Sequence, residues 1–563
     1  MKDLIRKWVL QNALKYEGKA SAGAIIGKLI SEDPAIKEKL KEVSKLVQQT
    51  IKEVNALSLD AQRAEIEKKW PELLEEKPKA EEKTLKPLPD AEEGRVVMRI
   101  APSPSGPLHI GHAYVTGLNA AYCKKYGGKF ILRIEDTNPE NIYSPAYELI
   151  EQDVKWLSQN SVAEVIVQSK RLHVYYDYAE KLINKGHAYV CTCNADVFRE
   201  TIAQKKSCPC RNAPVREQVL RWDNMFSSYE PGQAVVRIKT DVSHPNPAMR
   251  DWPAMRINCA KHPITGTEER VWPLMNFSVA IDDHELGVTH TLRGKDHMDN
   301  AKRQQYIFDY FGWKAPIHKF LGIITFEGFD LSKTKTKLAI ERGEYEGWDD
   351  IRLPFLGALK RRGYIPEAFT KWAIDIGLTE TDKTVSIEEF FKTLNHFNKE
   401  IVDPVANRYF FVWGPVKITV EGAPEREVCI DFHPTNKAVG ERHLKTHQEF
   451  YITKEDADKL REGELYRLMD CLNFTKKGKK FVFVSQPHAD FKERGSMIMH
   501  WLPVQKELVS VRVRMTDNKM KEGLGEPSVA SIKEGTMVQL ERFGFCRLDT
   551  VKNDTYEFWF GYR

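Results

Sequence analysis

Apolar and charged residues recur with a helical period over positions 1–75, as in "DPAIKEKLKEVSKLVQQTIKEVNALS". That pattern predicts helices, each with one apolar stripe and a charged outer face. The next stretch, 76–94, carries charge and proline but no periodic apolar face, and predicts a linker. The pattern then changes. "RVVMRI" reads as a short strand, "APSPSGPLHIGHA" as a loop, "GHAYVTGLNAAYCKKYGG" as a helix closed by glycine, and "KFILRIED" as a second strand. Strand, helix and strand in that order predict a βαβ unit and a parallel sheet. From about 186 to 270, cysteines, prolines and short strands interrupt the alternation, which resumes at "WPLMNFSVAIDDHELGVTHTLRGKDH". Helices are expected from about 338 to 400. Beyond Val402 the chain becomes a series of short alternating segments, among them "PVKITV", "KFVFVS" and "VSVRVRM", which predict one or two β-barrels.

A chain of 563 residues is long enough for roughly three to five domains. Its 85 basic and 80 acidic residues leave a formal charge of only +5, which neither demands nor excludes a nucleic-acid partner. The charged N-terminus lacks the apolar core of a signal peptide. No apolar run approaches the roughly 18 residues of a membrane span. A cytoplasmic protein without membrane segments is the expectation. Of nine cysteines, four lie between positions 191 and 210; the scattered remainder read as reduced core residues.

The loop after the first strand lies at the carboxyl edge of the expected parallel sheet, where a helix N-terminus favours anions. Gly106 and Gly111 let a nucleotide approach the backbone, and Pro102, Pro104 and Pro107 restrict the loop. His109 and His112 are placed to donate to phosphate oxygens. An isolated H-x-x-H more often just lines a helix start; the surrounding strand, prolines and glycines favour a phosphate site. "FDLSKTKTKLAI" (329–340) adds Lys333, Lys335 and Lys337 beside Ser332, Thr334 and Thr336. This is either a solvated lysine run or a clamp for a leaving pyrophosphate.

"PLHIGHA" resembles the HIGH signature of class I aminoacyl-tRNA synthetases, and "DLSKTK" resembles a variant of their KMSKS loop. "MRIAPSPSGPLHIGHA", "FILRIEDTNPE", the long string at 272–297 and "NRYFFVWGPVKI" are similar to glutamyl-tRNA synthetases of the archaeal type. "NALKYEGKASAGAIIGKLI" is similar to the helical appendage of that group and of glutaminyl enzymes. One departure is that Asp330 stands where KMSKS has its first lysine. The resemblance implies a multidomain α/β protein. Its Rossmann-type parallel-sheet catalytic domain would lie in two halves (95–185 and 273–337), with an inserted acceptor-stem-binding domain (186–272) between them. An N-terminal helical appendage (1–75), a helical stem-contact region (338–401) and C-terminal anticodon-binding β-barrels (402–563) would complete the chain.

The resemblance also implies the chemistry. ATP, accompanied by Mg²⁺, would activate L-glutamate as an adenylate, and tRNA(Glu), with tRNA(Gln) as an additional acceptor, would receive the glutamyl group. His109, His112, Lys333 and Lys335 carry over as catalytic residues. Pro107, Gly111 and Ser332 join them at ATP. Arg99, Ala101, Ser103, Glu135 and Arg293 carry over to glutamate, the arginines toward its carboxylates and Glu135 toward its ammonium. Arg293 stands where glutaminyl enzymes tend to have a small neutral residue. The alternative for Arg99 and Arg293 is structural ion pairing.

Fourteen residues separate the pair Cys191 and Cys193 from the pair Cys208 and Cys210. Four thiolates can close a structural Zn²⁺ site, a reading the resemblance favours over free core thiols. Arg542, Phe543, Phe545 and Arg547 are placed either to meet tRNA bases or to fill a barrel core. A monomer is expected. The alternatives are a glutaminyl-tRNA synthetase, a small-metabolite nucleotidyltransferase sharing the histidine loop, and an inactive tRNA-binding paralogue.

Overall fold

The computed structural model of the chain describes residues 2–15, 18, 20, 25, 26, 28, 29, 32, 36, 40–73 and 83–563. Part of the quoted appendage string and the linker up to residue 82 lie outside the described residues. The chain divides into two compact units, 1–83 and 84–563.

In the first unit the helices Lys2–Lys15, Leu40–Asn55 and Leu59–Lys69 turn Ile5, Val9, Val43, Val47, Val54 and Ile66 into one apolar core. Ser58 caps the third helix, accepting from the Ala61 N–H at 3.2 Å. Buried Gln62 ties that helix to the one before it by donating to the Val54 carbonyl at 2.8 Å.

The second unit opens with β1 (Val97–Ile100), β2 (Lys129–Ile134) and β3 (Val162–Val167), paired in parallel in the order β1-β2-β3. β4 (Ala188–Cys191), β5 (Val235–Ile238), β6 (Pro253–Ile257) and β7 (Val271–Pro273) then form a separate antiparallel sheet. The parallel sheet resumes with β8 (His290–Gly294) and β9 (Ile317–Leu321). Thr289 joins the two parallel ladders: its N–H donates to the Val97 carbonyl at 2.9 Å, and its hydroxyl accepts from the Val97 N–H at 2.9 Å. The strand order is therefore β3-β2-β1-β8-β9, and it reverses between β1 and β8. In an open α/β sheet, ligands bind outside the strand ends at that reversal. Helices cover the sheet, so β2 is buried from Phe130 through Ile134 and reads as an apolar run broken by Arg133.

The helix Ile110–Lys125 leaves β1 and packs against Pro366–Ile376. Gly117 allows that contact, since a Cβ there would sit 3.4 Å from the Ala373 Cβ. Helices Leu356–Arg361 and Ile387–Val402 complete the segment before the β-rich C-terminal part.

That part holds two seven-stranded sheets. One has Arg408–Tyr409 at one edge and Phe411–Trp413 at the other, with only Phe410 between them in sequence, so the sheet nearly closes on itself. The other is built from residues 415–503 and is inserted between the early strands of the first and its remainder, Val509–Tyr562. Phe543 and Phe545 fill the interior rather than present flat faces to solvent. Arg542 is held by both oxygens of Asp456, at 2.6 and 2.9 Å.

Candidate functional site

Two imidazoles cap the helix Ile110–Lys125. The Nδ1 of His109 accepts from the Gly111 N–H at 3.1 Å, and the Nδ1 of His112 accepts from the His109 N–H at 3.2 Å. Because both Nδ1 atoms accept, a neutral ring carries its proton on Nε2, where it remains a donor. Burial and the nearby Lys333 charge push His109 down to about 3. Burial, with the charges of His109 and Lys333, also holds His112 well below its ordinary range. Both rings are therefore neutral donors at physiological pH. Gly111 is required here, since a Cβ would lie 2.9 Å from the His109 Cε1. Pro107 is buried behind the loop.

Lys333 meets this loop from the other side. Ser332 caps the helix Lys333–Glu341 by accepting from the Lys335 N–H at 3.3 Å. That start directs the Lys333 stem across Gly106, so that Nζ donates to the Gly106 carbonyl at 3.1 Å. A Cβ at Gly106 would lie 3.2 Å from the Lys333 Cδ. Burial pushes the Lys333 ammonium down to about 8, and Asp153 partly opposes the shift. Asp153 is buried, and one of its oxygens accepts from the Leu108 N–H at 3.1 Å. Lys335 is not brought to the loop: it is exposed and paired with Asp330 at 3.1 Å.

Beside the imidazoles lies a pocket of about 190 Å³, lined by Arg99, Ala101, Gly111, His112, Glu135 and Arg293, among others. Ser103 is exposed and is not among the lining residues. Arg99 leaves the end of β1 and Arg293 the end of β8, so the pocket straddles the point where the strand order reverses. Both Asp283 oxygens hold Arg99, at 3.0 and 3.1 Å. Arg133, fully buried, donates to Asp283 at 2.7 Å and to Glu135 at 2.9 Å. The two arginines hold the Asp283 carboxyl well below its usual range against the opposing effect of burial.

Arg293 differs. It is 7 % exposed, has no carboxylate within 4 Å among the described residues, and leaves its buried Nε without an acceptor. Its Nη1 donates to the neutral Gln304 at 3.0 Å. Burial, followed by repulsion from Arg99, pushes Arg293 down to about 10, and it remains charged at neutral pH. Arg133 also lies 3.8 Å from the buried Asp282, which Arg171 holds at 3.2 Å. Three arginines (Arg99, Arg133, Arg171) and three carboxylates (Asp282, Asp283, Glu135) cancel in this group, so Arg293 adds a positive charge with no carboxylate of its own.

The four clustered cysteines also meet. Cys191 ends β4, and Cys208 and Cys210 flank Pro209 at the short helix Pro209–Asn212. The Cys191 and Cys208 sulfurs are 3.8 Å apart, those of Cys193 and Cys210 are 3.6 Å apart, and all four lie within 4.8 Å of one another. Sulfurs on a tetrahedral Zn²⁺ at about 2.3 Å would be roughly 3.8 Å apart, so the four sulfurs present fit that ion. They are too far apart for disulfides.

Sequence reasoning missed Asp283, Arg133, Asp153 and Gln304. The two aspartates of "AIDDHE" and the arginine inside "FILRIED" were visible as charges within apolar stretches. Such charges, when buried, are paired. Asp153 and Gln304 had no comparable local signal.

The tRNA synthetases class I (E and Q) catalytic domain matches residues 95–403. Two anticodon-binding domains of the same family match 406–485 and 498–549. The chain is 44 % identical to the glutamate–tRNA ligase of Pyrococcus furiosus, covering 98 % of each chain. It is 43 % identical to that of Methanocaldococcus jannaschii and 42 % to that of Methanococcus maripaludis, covering 99 % of each chain in both cases. With its catalytic and anticodon-binding domains matched and its similarity running nearly end to end, the chain belongs to the class I tRNA synthetases of the E and Q family.

Proposed function

We propose that this protein is a glutamate–tRNA ligase that activates L-glutamate with ATP and transfers it to tRNA(Glu), and to tRNA(Gln) as a second acceptor. The observation that carries the choice of amino acid is the uncompensated charge of Arg293. Glutamate has two carboxylates and one ammonium, a net charge of −1, and Arg293, which has no carboxylate within 4 Å among the described residues, complements it. Glutamine has no net charge and would leave that buried cation unpaired.

In this reading the α-carboxylate attacks the α-phosphate of ATP and pyrophosphate leaves. Developing phosphate charge meets the Nε2–H groups of His109 and His112 and the Lys333 ammonium, which are oriented before reaction. Mg²⁺ accompanies ATP and is held largely by its phosphates. Arg293 holds the side-chain carboxylate, Glu135 takes the ammonium, and Arg99, fixed by Asp283, faces the α-carboxylate. Ala101 leaves room for the substrate. The 2′-hydroxyl of the terminal adenosine of tRNA then takes the glutamyl group.

The segment 186–272 grips the acceptor end in this proposal, with the sulfurs of Cys191, Cys193, Cys208 and Cys210 holding a structural Zn²⁺ that stiffens it. The helical segment 338–401 lies along the stem, and the barrels from 402 read the anticodon. The enzyme acts as a monomer in the cytoplasm. Among the described residues, no helix is long and apolar enough to cross a membrane.

The test is aminoacylation of each purified tRNA with labelled glutamate and labelled glutamine. Glutamate is expected on both tRNAs. Glutamine on tRNA(Gln) would favour the glutaminyl alternative, and no charging at all would favour a tRNA-binding paralogue.

A further inference from the structure

Behind Arg293, as far as Arg303, runs a series of hydrogen-bonded amides. Gln304, 1 % exposed on the helix Met298–Phe311, accepts from Arg293 Nη1 and donates through Nε2 to Asn276 Oδ1 at 3.2 Å. Asn276 Nδ2 donates to Asn300 Oδ1 at 3.1 Å, and Arg303 donates to the same oxygen at 3.2 Å. An arginine can only donate. Arg293 at one end and Arg303 at the other therefore fix the direction of every amide between them: Gln304 must turn its oxygen toward Arg293, and Asn300 must turn its oxygen toward Asn276.

Arg99, a few side chains away, is held by a carboxylate that neutralises it. Arg293 is held through Nη1 alone, by an amide oxygen that does not. We propose that Gln304 is a specificity-determining positioning residue, which orients Arg293 while leaving its charge free for the substrate's side-chain carboxylate. This rests on the glutamate reading above. A buried guanidinium beside an acid has its charge partly answered and gains less from a second carboxylate than one beside an amide. Beside an amide it is positioned, and its buried Nε still lacks an acceptor. The relay thus favours an acidic substrate over its neutral isostere without touching either.

The experiment compares the full-length protein with Gln304→Glu, Gln304→Met and Arg293→Ala. KM and kcat are measured for glutamate and for glutamine, together with KM for ATP. Gln304→Glu keeps the acceptor and adds the charge. It is expected to raise KM for glutamate about tenfold or more, to lower the glutamate-to-glutamine preference by a similar factor, and to leave KM for ATP unchanged. Gln304→Met removes the acceptor without adding charge. It is expected to raise KM for glutamate only a few-fold and to keep the preference. Gln304→Glu also loses the N–H that Asn276 Oδ1 accepts, so a merely structural role predicts that both variants weaken glutamate and glutamine alike and keep the preference, and that result in Gln304→Glu would overturn the proposal. Asn276→Asp, which brings a carboxylate one amide further away, is expected to give a smaller loss of preference and serves if Gln304→Glu does not fold. An unchanged preference in whichever acidic variant folds overturns the proposal. Arg293→Ala separates the two levels. If it loses glutamate while Gln304→Glu does not, only the relay fails. If it leaves glutamate unaffected, the glutamate reading of Arg293 fails first.

Discussion

The Lys333 ammonium donates to the Gly106 carbonyl at 3.1 Å, joining the lysine loop to the histidine loop across 227 residues of sequence. The contact depends on the missing side chain at Gly106, whose Cβ would crowd the Lys333 stem at 3.2–3.4 Å. Lys335, two residues along, points away and is neutralised by Asp330.

The two lysines should therefore separate in kinetics. Lys333→Ala is expected to lower kcat for aminoacylation about 10²–10³-fold, the effect of losing one preorganised donor to developing charge, with KM for glutamate little changed. Lys335→Ala should cost less than about tenfold. Gly106→Ala should resemble a partial Lys333 loss. Steady-state rates at saturating tRNA check all three.

The alkaline limb of the pH profile should belong to Lys333. Its ammonium is pushed down to about 8, so the charged form is lost as pH rises through that value. The rate measured at subsaturating ATP should fall with an apparent pKa near 8, and Lys333→Arg should remove that limb. Asp153 raises Lys333 by its charge, so Asp153→Asn should move the limb to lower pH. His109, already neutral from about 3 upward, should contribute no limb in the working range.

Asp153→Asn should also change stability with a definite sign. Burial pushes this carboxyl up from 3.8 to about 7. Its stabilising contribution is present below its unfolded value and is lost as pH rises from about 4 through about 7. Asparagine keeps an acceptor for the Leu108 N–H without the buried charge. The variant should gain about 1–3 kcal/mol on wild type between pH 4 and pH 8, read from denaturant unfolding at the two pH values.

Asp283→Asn should be among the most damaging single changes near the pocket. It leaves Arg99 and Arg133, both buried, short of their shared acid. Breaking such a group typically costs about 3–5 kcal/mol. In wild type the Asp283 carboxyl is held low, so its contribution is present above the unfolded aspartate range near 4 and is lost as pH falls below it. Thermal melts from pH 3 to pH 7 should show the onset of the wild-type loss below about pH 4, and the variant should show a smaller one.

The cysteine cluster predicts about one zinc per chain by elemental analysis of the full-length protein. Cys208→Ser should lose the metal and lower the melting temperature. The exposed Cys259→Ser is the control and should change neither.

What was legible in the sequence was local. The turn at 101–113 sits between a strand and a helix that its own residues specify. Two C-x-C pairs need only a short reversal of the chain to meet. The charge balance of the pocket was not legible, because Asp283 answers Arg99 from 184 residues away. The same holds for Lys333 and Lys335. In sequence they are equivalent lysines, and only the helix start fixed by Ser332 turns one inward and leaves the other with Asp330. Ser103, though close in sequence to Ala101, lies beyond the strand end, where the loop has already turned to solvent.

The most direct test of the surplus charge at Arg293 is a competition. Wild-type protein and Arg293→Gln are each given ATP, tRNA(Glu) and an equimolar mixture of glutamate and glutamine carrying different labels. Wild type should load glutamate by about 10³-fold or more, and the variant should lose most of that preference through KM for glutamate. A variant that discriminates as well as wild type would contradict the account.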